Sequence, residues 1–82
     1  MRYELFLSEA ARDALRALPV DYRRSIGRRL DAMQNDLAGD VRKLTGAETK
    51  YRLRVGRFRV LFTLQDRTIF VYAVKDRKEA YD

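Results

Sequence analysis

The stretch KYRLRVGRFRVLFTLQDRTIFVYAV, residues 50–74, decides the fold of this chain. Tyr51, Leu53 and Val55 alternate with Arg52 and Arg54, and Phe58, Val60, Phe62 and Leu64 alternate with Arg59, Leu61 and Thr63. A period of two marks a strand with one buried face, because successive side chains point to opposite sides. Gly56-Arg57 suits a two-residue hairpin turn with glycine in its first central place. Asp66-Arg67 makes a second tight turn. Thr68 to Val74 is then a continuous apolar run, the pattern of a strand covered on both faces. The stretch predicts a three-stranded meander.

With Gly56 and Arg57 as the turn residues, Val55 lies opposite Phe58, Arg54 opposite Arg59 and Leu53 opposite Val60. One face collects Tyr51, Leu53, Val55, Phe58, Val60 and Phe62, and should pack on other elements. The second face collects Arg52, Arg54, Arg59 and Leu61. Like charges directly opposite each other destabilise a sheet, by roughly several tenths of a kcal/mol. Nothing in a hairpin requires arginine at all three places. Three clustered guanidinium groups present fixed forks of donors that match phosphate oxygens. The alternative is a solvated face that happens to be basic.

Upstream of the meander, Arg2 to Leu7 alternates with Tyr3, Leu5 and Leu7 on one side, which predicts a short strand. Ser8 is placed to cap a helix whose apolar stripe is Ala11, Ala14, Leu15 and Leu18, and Pro19 breaks it. Asp21 is a candidate cap for a second helix. Tyr22, Ile26, Leu30, Met33 and Leu37 then recur at helical spacing up to a stop at Gly39. This order predicts an α+β fold, strand-helix-helix-strand-strand-strand. In it a helical hairpin packs on one face of a mainly antiparallel four-stranded sheet, and residues 1–82 form one domain.

Composition narrows the chemistry. The 82 residues include no cysteine and no histidine, which excludes disulfides, thiolate metal sites and a histidine acid–base pair. No apolar run approaches the ~20 residues of a membrane helix, and MRYELFLSEA is too short and too charged for a secretory signal, so a cytoplasmic protein is expected. The formal charge of +6 is unevenly distributed. Residues 1–41 and 60–82 each balance to zero. The whole excess falls in 42–59, where Arg42, Lys43, Lys50, Arg52, Arg54, Arg57 and Arg59 face only Glu48. Such a concentration fits a polyanion-binding surface. In the tail, Arg77 and Tyr81 are four apart and would share one side of a helical turn.

The stretches KLTGAETKYRLRVGRFRVLFTL (43–64) and AVKDRKEAYD (73–82) resemble the RelE family of toxins in motif order and spacing. The resemblance spans essentially the whole chain and implies a microbial ribonuclease-like fold. It also implies a toxin of a toxin–antitoxin module: an endoribonuclease that enters the A site of the 70S ribosome and cleaves mRNA with the 2′-hydroxyl as nucleophile. No metal or other cofactor is implied, and the partner would be a cognate RelB-like antitoxin. On this pattern Arg52 and Arg54 bind the scissile phosphate, Arg59 stabilises the transition state, Tyr81 stacks on or protonates the substrate, and Arg77 is the basic residue of the tail. Lys43, Lys50, Arg57, Lys75 and Lys78 are candidate RNA contacts. Relatives often carry lysine at the positions of Arg52 and Arg54, and arginine cannot act as a base. Many relatives have histidine at the position of Asp76. The proton acceptor therefore stays open among Asp76, Glu79, Tyr81 and water, and Asp76 has the alternative of pairing with a neighbouring arginine. Two other readings are a ParE-like gyrase inhibitor with no catalysis and an inactive orphan toxin.

Overall fold

The hairpin legible in residues 50–65 is the centre of the sheet. The structure, a computed structural model, describes residues 2–44, 46 and 49–77. In chain order these form β1 (Glu4–Leu7), α1 (Glu9–Arg16), α2 (Val20–Met33), β2 (Asp40–Lys43), β3 (Lys50–Val55), β4 (Phe58–Gln65) and β5 (Thr68–Asp76). The sheet order is β1-β5-β4-β3-β2. β1 runs parallel to β5 and every other pair is antiparallel.

The arginine hairpin has the register read from its sequence: Val55 pairs with Phe58, Arg54 with Arg59 and Leu53 with Val60. Gly56 takes φ 58°, which a side chain would resist, while Arg57 stays outside the left-handed region. That combination is the type II′ turn that suits the twist of the flanking strands. Asp66 adopts φ 55° at the second turn, a conformation aspartate tolerates better than most residues.

Both helices cover one face of the sheet. Ser8 caps α1 as expected, its Oγ accepting from the Ala11 N–H at 3.0 Å. α2 begins two residues earlier than expected, with Pro19 rather than Asp21 at its N-cap. Asp21 sits instead in the first turn, where a negative charge favours the helix dipole. Ala11, Ile26, Leu30 and Met33 pack against Leu53, Val60, Phe62, Ile69 and Val71, all of them buried. Phe62 is fully buried and stacks on Tyr51 with ring centroids 5.6 Å apart.

Three expectations need correction. The sheet has five strands, not four, because Asp40–Lys43 pairs along β3 as an edge strand. Its sequence, DVRK, has one apolar residue and too few positions to show alternation. The second helix stops at Met33, well before Gly39. Asp36 and Leu37 turn into the left-handed region at φ 58° and 57°, and Leu37 reaches the core from a loop. Its helical spacing recorded burial, not helix. Gly39, at φ 122°, instead allows close approach: an added Cβ would lie 2.9 Å from Leu53 Cδ1.

The third correction concerns the last strand, which among the described residues is covered on one face only. Phe62 pairs with Val71 but Leu61 pairs with Ala73, so Tyr72 is an extra residue in a β-bulge. The bulge reverses the alternation and turns both Val71 and Val74 toward the helices, where strict alternation would separate them. Phe70 lies on the other face and is 41% exposed. A bulge and a surface phenylalanine together imitate a doubly buried strand.

Candidate functional site

Directly paired residues in a sheet point to the same side, so the registers define rows across the face that the helices leave open. One row is Asp40, Arg54, Arg59 and Lys75, on β2, β3, β4 and β5. A second row is Arg42, Arg52, Leu61 and Ala73. Neighbouring strands lie about 4.8 Å apart, so Arg54, Arg59 and Lys75 are consecutive cations across three strands. Lys75 thus extends the arginine pair expected from the hairpin.

Each guanidinium has a distinct setting. The Arg52 side chain is 12% exposed and is held at the sheet edge by Asp40: its Nη1 donates to the Asp40 carbonyl at 3.1 Å and lies 3.4 Å from Oδ1. Arg54 is exposed. Arg59 is half-buried between its two cationic neighbours, with Nε shielded from solvent. A cation in partly dry surroundings interacts with an incoming anion more strongly than one in bulk water. The row can therefore grip a phosphate from three strands, with Arg52 alongside.

The other candidates divide between the two faces. Lys50 is on the open face, its Nζ 5.7 Å from the centre of the Tyr72 ring. Burial holds the Tyr72 phenol above its ordinary pKa. Lys43 pairs with Tyr51 and so belongs to the helix side at the sheet edge. Arg57 also turns away from the arginine row. Its Nη2 donates to Asp76 Oδ2 at 2.6 Å and its guanidinium lies 5.8 Å from the Phe58 ring centre. Hydrogen bonds to Asp76 and then to Tyr22 raise the Arg57 pKa above its ordinary value. Arg57 and Asp76 line a cleft of about 430 Å³ with Ala14, Leu18, Tyr22 and Val74, on the helix side.

Asp76 is thus paired with an arginine, the second of the two roles considered for it, and its carboxylate lies across the sheet from Arg54 and Arg59. The Arg77 N–H donates to the Arg57 carbonyl at 2.6 Å and ties the end of β5 to the turn between β3 and β4. Lys78, Glu79 and Tyr81 lie outside the described residues. Among the described residues, no acidic cluster could hold a metal ion and no helix is long and apolar enough to cross a membrane.

Sequence reasoning missed Phe6 and Phe70 on the open face and did not assign a face to Arg42. Arg42 lies within the basic segment, but its face is defined only once β2 is seen as a strand. Phe6 pairs with Phe70 in the parallel β1–β5 register, and both are exposed. The sequence signal for the pair is Phe6, an apolar residue on the side of the strand opposite Tyr3, Leu5 and Leu7.

A helical hairpin on one face of a sheet and a guanidinium cluster on the other define a small, basic α+β protein. No family model matches the chain. It is similar to Toxin RelE3 of Methanocaldococcus jannaschii, 40% identical over 48 residues, or 58% of this chain and 54% of that protein. The chain thus matches about half the length of this curated relative. Its structure is similar to the archaeal RelE–RelB complex from Pyrococcus horikoshii OT3, with TM-score 0.81, 27% identity and coverage of 98% of this chain and 100% of that one. It is also similar to the RelB–RelE antitoxin–toxin complex from Methanococcus jannaschii, with TM-score 0.79, 27% identity and coverage of 94% and 95%. On sequence and fold together, the chain is similar to toxins of the RelE type.

Proposed function

We propose that the chain is the toxin of a RelBE-type module and cleaves mRNA in the ribosomal A site, with the open sheet face holding the scissile phosphate. The observation that carries this reading is the alignment of Arg54, Arg59 and Lys75 on three adjacent strands. The alignment costs the free sheet like-charge repulsion, and a bound phosphate relieves it. The partner is a RelB-like antitoxin, by analogy with the two archaeal complexes.

In this mechanism the 2′-hydroxyl attacks the adjacent phosphorus and the bond to the 5′-oxygen breaks. The products are a 2′,3′-cyclic phosphate and a 5′-hydroxyl. Arg59 stabilises the charge that builds on the phosphorane, Arg54 and Lys75 flank it, and Arg52 is positioned by Asp40. Neither Arg52 nor Arg54 accepts the 2′-hydroxyl proton. With Asp76 engaged by Arg57 on the far side of the sheet, the proton passes to water. Tyr81 is the candidate donor to the leaving oxygen.

Binding to single-stranded RNA weakens with salt at a slope of about −0.7 per phosphate neutralised. Arg54→Ala should make that slope shallower by roughly one phosphate contact. Titration by fluorescence anisotropy at several salt concentrations measures it, and an affinity indifferent to salt contradicts phosphate binding.

A further inference from the structure

The row beyond the arginines runs Lys50, Thr63, Phe70 and Phe6, on β3, β4, β5 and β1. Phe6 is 51% and Phe70 41% exposed, and they are direct register partners. The core lies on the opposite face, where Leu5, Leu7, Ile69 and Val71 point. Two exposed phenylalanines side by side, one of them on an interior strand, are not explained by packing in the described structure. They share their face with Lys50, Arg52, Arg54, Arg59 and Lys75.

We propose that Phe6 and Phe70 form a base-stacking platform and that single-stranded RNA crosses this face with its backbone along β3 and its bases over β5 and β1. The proposal rests on the reading of the open face as RNA-binding and adds residues that this reading does not assign. Lys50, Arg52 and Arg54 recur every second residue of β3, so these cations stand about 6.6 Å apart. That repeat is of the same order as the spacing of successive phosphates in an extended strand. From β3 to β5 is two strand spacings, about 10 Å, comparable with the reach from a backbone phosphate to the far edge of its base. Thr63 and Arg59 are four residues apart on β4, so about 13 Å separates the platform row from the Arg54–Arg59–Lys75 row. A strand gripped at the arginines therefore extends a few nucleotides before its bases meet the phenylalanines. The surplus of positive charge on this face selects a polyanion. An aromatic surface then holds any base, because every base has a π-face.

The test uses the full chain and non-cleavable 2′-O-methyl RNA hexamers: oligoadenylate, oligouridylate and an abasic hexamer of the same length. The variants are Phe6→Leu, Phe70→Leu, the double variant and Arg54→Ala. Leucine keeps an apolar side chain while removing the ring. Each phenylalanine variant should bind oligoadenylate about tenfold more weakly while keeping the wild-type affinity for the abasic hexamer. A 2-aminopurine base should be quenched on binding wild type and less so on binding the double variant. If the phenylalanine variants bind all three hexamers as wild type does while Arg54→Ala binds them more weakly, the platform is overturned and the phosphate face stands. If wild type binds none of the hexamers, both fail. If the double variant changes only the sedimentation coefficient, from dimer to monomer, the pair is a contact between copies and the platform is again overturned.

Discussion

Arg59→Ala should cleave ribosome-bound mRNA about 10²–10³ times more slowly than wild type, the usual loss when a preorganised donor to a developing anion is removed. Arg59 is central to the aligned cations, paired with Arg54 on one side and Lys75 on the other. It is half-buried, with Nε out of contact with solvent, so its field on a phosphate is weakly screened. Arg59→Lys should remain impaired, because an ammonium is a point charge and lacks the planar fork that meets two phosphate oxygens at once. Removing Arg59 also relieves repulsion among the three cations, so the loss of rate should not track a loss of fold. Single-turnover cleavage and circular dichroism on the same preparations separate the two effects. Wild-type cleavage by a folded Arg59→Ala contradicts the assignment.

The largest effect on stability is expected at Phe62. Its ring is fully buried in the layer between the sheet and the helices and stacks on Tyr51. Phe62→Ala removes the ring and leaves a cavity, a change that typically costs 3–5 kcal/mol. For a domain of this size each kcal/mol lowers the melting temperature by roughly 4–8 °C, so thermal melting should shift by tens of degrees. Since small domains are stable by only about 5–15 kcal/mol, the variant is expected near the edge of folding. Phe70→Ala, the same chemical change on the open face, should lower the melting temperature far less. Equal shifts at the two positions would mean that the faces are assigned the wrong way round.

Strict alternation made the centre of this molecule legible. In residues 50–65 the pattern of apolar and basic residues admits one register, because a slip of one residue would turn every arginine into the core. The pairing of Arg54 with Arg59 followed from that and from Gly56. The signal weakened wherever a residue is buried by something other than a regular element. Leu37 keeps helical spacing yet packs from a left-handed turn. Val74 turns inward only because Tyr72 is bulged. β2 is too short and too charged to show a period. The site was legible to the same extent. Arg52, Arg54 and Arg59 share a face because hairpin geometry dictates it. That Lys75 joins them, that Arg57 turns toward Asp76 and that Phe6 meets Phe70 depend on pairings between strands distant in sequence, which local patterns do not encode.

Cleavage of defined mRNA on purified 70S ribosomes, with the A-site codon made of ordinary ribonucleotides or carrying a single 2′-deoxy substitution, is the most direct measurement of the proposed activity. A cut within the A-site codon that leaves a 2′,3′-cyclic phosphate and disappears with the 2′-deoxy substitution is the expected result. Intact mRNA in both reactions, with the same preparation of the chain inhibiting DNA gyrase, would contradict it.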